Sequence, residues 1–214
     1  MFKKMLPLFC LGLFVFLGYG SAKADTIGPS CGSCLGSSYT LTYTTTANPD
    51  VFNIFLTVDT TGFTNSSSDR LNSVSLKLVP QDSDIVSVSL LSAPATFGTT
   101  VSGGLNANGC GAGGGGFFCS ESTGNGVPVA HVGDIYTFEW LLTLTSPSDL
   151  MLGEGAASVK ALYVNSDGQQ NGITSEPITL DPGGSSPVPE PSTLLMLGTG
   201  LVGAAGAIRR KLRA

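Results

Sequence analysis

The residues best placed to do chemistry are four of the five cysteines, which stand in two close pairs; the fifth, Cys10, lies in the apolar N-terminal stretch. Two residues separate Cys31 from Cys34, and eight separate Cys110 from Cys119. Four cysteines can hold zinc, but the longer gap does not fit a zinc knuckle. A redox role for the Cys-x-x-Cys pair would need a βαβ context, and the sequence offers none. If the chain is exported to an oxidising compartment, four cysteines instead predict two disulfides.

The sequence leaves three ways of pairing these cysteines. If Cys31 and Cys34 close their own tight ring, Cys110 and Cys119 close the glycine-rich segment between them. If both N-terminal cysteines instead join that segment, each ring has roughly 80 residues and each bond stabilises by about 4 kcal/mol in the chain-entropy model. The local Cys110–Cys119 bond is slightly favoured, because the loop between these residues is too rich in glycine to order itself.

Acid–base chemistry has few candidate residues. His131 is the only histidine, so a Ser-His-Asp triad would depend on it, with Asp134 nearby in the sequence. A lone histidine beside the start of a strand is usually structural. Four glutamates could supply a glycosidase pair, but their spacing does not guide a choice; they are Glu121, Glu139, Glu154 and Glu176. We therefore predict that the protein is not an enzyme, and a secreted hydrolase is the weakest alternative.

Charge limits the partners of the central region. Between residues 25 and 186 the chain has three cations and 14 acidic residues, a formal charge near −11. Such a surface repels nucleic acid and anionic lipid, so no nucleic-acid partner is expected. Asp82 and Asp84 could offer oxygen ligands to calcium, but a solvated acidic turn is the ordinary interpretation. We expect no cofactor, and calcium is the one candidate that the sequence keeps open.

The elements that must position these residues are strands rather than helices. Segments rich in β-branched and aromatic residues recur, and turn residues such as Pro, Gly, Asn and Asp separate them. This pattern predicts an all-β fold, an antiparallel β-sandwich of about seven to nine strands, with a barrel or jelly roll as the structural alternative. The predicted strands are residues 39–46, 51–58, 71–79, 85–90, 135–144, 158–164 and 173–180.

Trp140, the only tryptophan, lies in the middle of the longest predicted strand. The two-residue period of a strand places Phe138 and Leu142 on the same face as Trp140. A sugar-stacking platform needs an exposed ring, and the centre of a strand is more often buried. We therefore predict that Trp140 belongs to the core.

The segment 103–126 is unusually rich in glycine and contains Cys110 and Cys119. Because glycine loses more conformational entropy on ordering than any other residue, regular packing is not expected there. The sequence predicts a long irregular loop that a disulfide pins to the rest of the domain.

The N-terminus has the composition of a signal peptide. Lys3 and Lys4 precede an apolar stretch, and small residues at 22 and 24 fit the positions that a signal peptidase reads. Cleavage after Ala24 is predicted, so residues 1–24 would be removed and residues 25–186 would form the exported domain.

The C-terminal residues 187–214 combine three kinds of sequence. Prolines come first and keep the chain extended. The apolar segment 194–208 follows; as a helix it would be roughly 22 Å long, short for a bilayer core of roughly 30 Å but able to span if the bilayer thins. A basic cluster then holds its own end at the cytoplasmic face; its residues are Arg209, Arg210, Lys211 and Arg213.

This tail resembles the PEP-CTERM sorting tail of Gram-negative bacteria. The resemblance rests on Pro189-Glu190-Pro191, the glycine-rich apolar segment and the terminal basic cluster, which occur in that order. In that family the tail implies handling by an exosortase, a membrane cysteine protease that acts near the Pro-Glu-Pro. The implied processing partners are therefore an exosortase and a signal peptidase, and the chain would be anchored transiently in the inner membrane through its tail.

Together these features predict an exported protein of the cell envelope, the outer surface or the extracellular matrix. A structural or adhesive role is expected, and the resemblance implies a setting of exopolysaccharide or biofilm, with exopolysaccharide as a candidate partner. A carbohydrate-binding or calcium-dependent binding module is the alternative.

Overall fold

The computed structural model describes residues 25–112 and 114–182, and within them strands predominate. Two short 3₁₀ helices, Asp82–Asp84 and Pro147–Asp149, lie between strands. The first seven strands are β1 (Thr26–Ile27), β2 (Ser38–Thr45), β3 (Val51–Asp59), β4 (Arg70–Lys77), β5 (Ile85–Ser92), β6 (Phe97–Ser102) and β7 (Gly104–Asn106). The others are β8 (Gly109–Ala112), β9 (Phe117–Ser122), β10 (Val127–Pro128), β11 (Ile135–Leu144), β12 (Ala157–Val164), β13 (Gln170–Ile178) and β14 (Asp181–Pro182).

The strands form two six-stranded sheets and one small hairpin. The first sheet has the order β1-β2-β3-β11-β5, and β14 also pairs with β2. The second has the order β13-β12-β4-β9-β6, and β10 also pairs with β4. Every pairing is antiparallel except that of β14 with β2. The predicted antiparallel sandwich is confirmed, and the described ranges contain nine strands of six residues or more.

The core lies between the two sheets and follows the two-residue period of the strands. Along β3 the residues that face inward are apolar and almost fully buried, while their neighbours are only partly buried. The inward set on this strand is Phe52, Ile54, Leu56 and Val58.

Trp140 occupies the centre of this core, as predicted. Its exposed fraction is 0%. Phe138, on the same strand, stacks on it with ring centroids 5.6 Å apart, and Phe118 of the second sheet meets it edge-on at 5.5 Å. Its indole Nε1–H donates a hydrogen bond of 2.8 Å to the buried Ser120 Oγ. Trp140 therefore joins the two sheets by packing and by a hydrogen bond.

The prediction of a long irregular loop over 103–126 is wrong. Strands β7 and β8 form a hairpin there, and β9 fills the place between β4 and β6 in the second sheet. Glycine allows the backbone of this segment to pass close to its neighbours. Gly116 has φ +79°, and a side chain there would meet the Val79 carbonyl. The abundance of glycine predicts irregularity, whereas in the structure glycines such as Gly116 allow the chain to turn tightly between paired strands.

The β7–β8 hairpin covers the outer face of the second sheet. A second small apolar cluster forms beneath it, separate from the main core. Leu162 and Val164 of β12 point into this cluster, whereas their neighbour Tyr163 points into the main core. The buried members are Leu105, Cys119, Leu162 and Val164.

Both ends of the described domain meet at β2. Strand β1 pairs with β2 near residue 40, and β14 pairs with β2 at Thr42 and Tyr43. The Asp25 backbone N–H donates a hydrogen bond to Asp181 Oδ2. The first sheet therefore carries both points at which the domain continues into the rest of the chain.

Among the described residues, no helix has the length and apolar character needed to cross a membrane. The predicted signal peptide 1–24 and the predicted span 194–208 lie outside the described residues. So does the predicted sorting motif Pro189-Glu190-Pro191, together with the basic cluster Arg209, Arg210, Lys211 and Arg213.

Candidate functional site

The four cysteines form two disulfides, each within its own local pair. Cys31 bonds to Cys34 with a Cα–Cα distance of 5.2 Å, and Cys110 bonds to Cys119 with a Cα–Cα distance of 5.5 Å. The favoured local bond between Cys110 and Cys119 is therefore present in the structure, and the long-range alternative is not.

The Cys31–Cys34 ring lies against the outer edge of β13. Ser33, inside the ring, accepts a hydrogen bond of 2.9 Å from the Ser175 backbone N–H through its Oγ. Its carbonyl accepts a bond of 3.0 Å from Thr174 Oγ1. Its own N–H and Oγ–H both donate to Glu176 Oε1, at 2.8 and 2.7 Å. The ring thus satisfies groups that the edge strand would otherwise show to solvent.

We expect no free thiol in the exported domain. Both cysteine pairs are bonded, so thiol labelling of the denatured but unreduced protein should find none, and labelling after reduction should find four in the mature chain. Stoichiometric labelling before reduction, or tightly bound zinc in an elemental analysis, would contradict the disulfide assignment.

The second disulfide holds the β7–β8 hairpin over its sheet. Next to it, the Cys110 backbone N–H donates a hydrogen bond of 3.2 Å to Glu121 Oε2. Gly109 has φ +103°, and a side chain there would run into the Glu121 carboxylate. These contacts fix the hairpin turn that carries Asn108.

A polar cleft of about 470 Å³ opens beside this hairpin turn, on the outer face of the second sheet. The almost fully buried Leu162 and Val164 line its apolar part. Its remaining lining comes from four separate segments: Asn72 on β4, Ala107 and Asn108 in the hairpin turn, Glu121, Gly124 and Asn125 at and after the end of β9, and Gly168, Gln169 and Gln170 at the β12–β13 turn.

Several polar side chains of the cleft are free to bind a ligand. Asn72 is not, because its Nδ2–H donates 3.2 Å to the Gly124 carbonyl and its Oδ1 accepts 2.7 Å from the Ser73 hydroxyl. The side-chain amides of Asn108, Gln169 and Gln170 form no hydrogen bond with any described residue. Three unpaired amides and the Glu121 carboxylate therefore surround the cleft.

His131 lies away from this cleft, in an exposed turn. Its Nδ1 is 2.9 Å from Asp134 Oδ2, and its backbone N–H donates to the same oxygen at 2.9 Å. Within the described residues no serine hydroxyl contacts the imidazole. The spacing Gly-x-Ser-x-Gly does occur once, at residues 28–32, but Ser30 there lies in a bend between two strands rather than in a strand-to-helix elbow.

The predicted carboxylate sites have structural partners. Asp82 Oδ1 accepts a hydrogen bond of 2.7 Å from the Gly116 N–H, and Asp84 Oδ2 accepts one of 3.0 Å from the Gln81 N–H. Among the four glutamates, Glu176 binds Ser33 and Glu121 lines the cleft. The described part of the chain brings no three His, Cys, Asp or Glu side chains together as a metal site.

Sequence reasoning did not find the cleft. Its unpaired groups are ordinary asparagines and glutamines from segments far apart in the sequence, and no short motif links them. The one available signal was the turn at Ser166-Asp167-Gly168, which places Gln169 and Gln170 at the start of β13.

Comparison with known families identifies the C-terminal tail. Residues 187–211 match the PEP-CTERM protein-sorting motif. This match covers the predicted Pro-Glu-Pro, the apolar segment and most of the basic cluster. It supports the recognition of a PEP-CTERM sorting domain-containing protein. No curated protein matches the chain.

Two solved structures are similar to parts of this chain at low identity. One is an exo-β-N-acetylglucosaminidase from Vibrio harveyi in complex with N-acetylglucosamine, at 16% identity and a TM-score of 0.34, covering 72% of this chain and 19% of that one. The other is a cohesin module of a glycoside hydrolase from Clostridium perfringens, at 13% identity and a TM-score of 0.29, covering 66% of this chain and 97% of that one. The chain thus spans about a fifth of the first protein, and TM-scores this low carry no argument about function.

Proposed function

We propose that this chain, which carries a PEP-CTERM sorting motif at residues 187–211, is a structural or adhesive protein of the cell surface or extracellular matrix. A signal peptidase would release residues 1–24, and an exosortase would act near Pro189-Glu190-Pro191. The mature domain would then reside in an exopolysaccharide or biofilm setting.

The single observation that carries this proposal is the match to the sorting motif. The motif indicates exosortase-type sorting of an exported protein, with membrane anchoring before processing. Two properties of the domain are consistent with export from the cytoplasm: its described cysteines form disulfides, and its formal charge is strongly negative.

We infer a non-catalytic role for the sandwich. His131 contacts only the turn that contains Asp134, and its side chain is 58% exposed. Among the described residues no hydrogen bond joins Ser30 to His131, and Glu176 is engaged by Ser33. These contacts favour structural roles for the residues that a hydrolase would need.

A carbohydrate-binding module is the second candidate, and the cleft on the second sheet favours it. The domain joins the rest of the chain at β2 of the first sheet, whereas the cleft lies on the outer face of the second sheet.

Replacing Pro189, Glu190 and Pro191 together with alanine should leave an unprocessed, full-length form in the membrane fraction. The physical reason is that an exosortase would lose the extended segment that it recognises beside the apolar span. Immunoblotting of membrane and secreted fractions measures the split, and mass spectrometry of the C-terminus identifies the product.

A matched control replaces Ser185 and Ser186 with alanine, just outside the motif, and should be processed like the wild type. Wild-type cells should yield protein that begins at Asp25 and lacks Arg209 to Ala214. Recovery of an intact basic C-terminus from the mature wild-type protein would overturn the sorting proposal.

A further inference from the structure

We propose that the cleft beside the β7–β8 hairpin binds a neutral, hydroxyl-rich sugar unit of a polysaccharide. This inference deepens the matrix role proposed above and rests on it only for the natural source of the sugar. The site itself is argued from the chemistry of its lining.

The unpaired groups of the cleft match the hydrogen-bonding character of sugar hydroxyls. Each amide of Asn108, Gln169 and Gln170 offers two donors and one carbonyl acceptor. The Glu121 carboxylate, whose Oε2 already accepts from the Cys110 N–H, adds its remaining acceptor sites. A hydroxyl group is both donor and acceptor, so neighbouring hydroxyls can pair with an amide at both of its ends. Because these amides have no hydrogen-bond partner in the described residues, binding would break no protein–protein hydrogen bond of theirs.

Charge selects against anionic ligands. Among the described residues that line the cleft there is no lysine or arginine, and Glu121 is the only ionisable one. All three cations of the domain have other partners: Arg70 donates to the Gly126 carbonyl, and Lys77 and Lys160 lie 5.8 and 4.7 Å from the centre of the Phe117 ring. A uronic acid or a phosphate would meet a negative field, whereas a neutral hexose would not.

The size of the cleft also suits a sugar. A volume of about 470 Å³ lies within the usual range of roughly 300–1,000 Å³ for small-molecule sites. Leu162 and Val164 line the bottom of the cleft, but they are only 2% and 3% exposed, so most of the contact with the ring would come from the polar groups. The described lining residues include no aromatic side chain, so we expect weak binding to each sugar unit. Binding would become strong only when several copies of the protein bind the same polysaccharide.

The hairpin turn that presents Asn108 is fixed before a ligand arrives. The Cys110–Cys119 bond ties β8 to β9, and the Cys110 N–H bond to Glu121 joins the same two strands. A preorganised site loses less entropy on binding. The disulfide would therefore support recognition as well as stability.

The test is a titration of the isotopically labelled, full mature protein, followed by NMR, in buffer that contains EDTA. The neutral probes are maltotetraose and cellotetraose, and the anionic probe is tetragalacturonate. At least one neutral probe should shift the backbone amide signals of Asn108, Glu121 and Gln169 at millimolar concentration. The anionic probe should bind less tightly.

Variants separate a binding role from a structural one. Gln169→Ala combined with Gln170→Ala should weaken binding about tenfold, because two to three hydrogen bonds are lost. Glu121→Gln should narrow the difference between the neutral and anionic probes. Glu154→Gln is the matched control: it removes the same charge from an exposed loop residue outside the cleft and should change neither affinity. Thermal melting and near-UV circular dichroism check that each variant is folded.

The proposal is overturned if neither neutral probe shifts the cleft signals, or if the folded glutamine double variant binds as tightly as the wild type. It is also overturned if the anionic probe binds more tightly than both neutral ones. The sorting proposal fails on a different observation, an intact C-terminus, so the two failures are distinguishable.

Discussion

Replacing Trp140 with alanine should lower the free energy of unfolding by about 3–5 kcal/mol, a large part of the roughly 5–15 kcal/mol that stabilises a typical domain. The side chain is 0% exposed and contacts Phe138 and Phe118, so its removal leaves a cavity between the sheets. It also leaves the buried Ser120 hydroxyl without its indole donor. Urea denaturation followed by far-UV circular dichroism measures the loss.

Two controls divide this effect into its parts. Trp140→Phe keeps an aromatic ring in the core but removes the Nε1–H bond to Ser120, so its destabilisation should be the smaller one. His131→Ala alters an exposed turn and should change the stability by no more than about 0.5 kcal/mol. The wild-type tryptophan emission should be blue-shifted; red emission that a sugar quenches would show that Trp140 is a binding surface and not core.

Stability should fall steeply once the pH rises above about 10, because two buried tyrosines must stay neutral in the folded state. The hydroxyls of Tyr39 and Tyr163 are 2.6 Å apart between the sheets, and Tyr163 also donates 2.9 Å to Ser37 Oγ. Burial raises the pKa of both tyrosines, and the mutual proximity of the two groups raises that of Tyr163 further.

The sign of this pH dependence follows from the number of protons bound by the folded and the unfolded chain. Below about pH 10 both the folded and the unfolded chain hold these phenolic protons, so this contribution to stability is fully present. Above it the unfolded chain releases them while the folded chain keeps them, so the free energy of unfolding falls by about 2.7 kcal/mol per pH unit for the pair. The loss continues until the pH passes the raised pKa of the folded state.

Urea titrations between pH 8 and pH 12 measure this slope. Tyr39→Phe combined with Tyr163→Phe should flatten it, although the double variant loses hydrogen bonds and starts from a lower stability. Tyr136 adds to the slope of both proteins, because burial, followed by the nearby Asp134 charge, raises its pKa to about 12. An unchanged alkaline slope in the double variant would contradict the assignment to the buried pair.

The sequence predicted those parts of the fold in which the local pattern and the tertiary environment agree. Strands β3 and β11 are rich in β-branched and aromatic residues, and the sandwich buries every second residue of β3 and of β11 from Phe138 onward. The inward direction of Trp140 follows from the two-residue period, which places it on one face with Phe138 and Leu142. The sorting motif of the tail could also be predicted from the sequence, because its three parts are contiguous and do not depend on the fold of the domain.

The prediction from the sequence was wrong where it relied on amino-acid composition and not on the alternation of residues along a strand. In segment 103–126 the abundance of glycine concealed the alternation of Phe118 and Cys119, which face the main core and the small outer cluster respectively. The cleft was not predictable at all. Asn108 and Gln169 come together only because the hairpin folds back over the second sheet, which is a tertiary event with no local signature.

The ring closed by Cys31 and Cys34 affects how the edge strand β13 can associate with other protein chains. An uncovered sheet edge is a template on which another chain can add a strand, and repeated addition leads to fibrils. The ring shields one end of the second sheet, because Ser33 already binds the Ser175 N–H that an incoming strand would use. A strand that approached this part of β13 would find the Ser175 N–H already bonded, so we expect the ring to disfavour edge-to-edge association there.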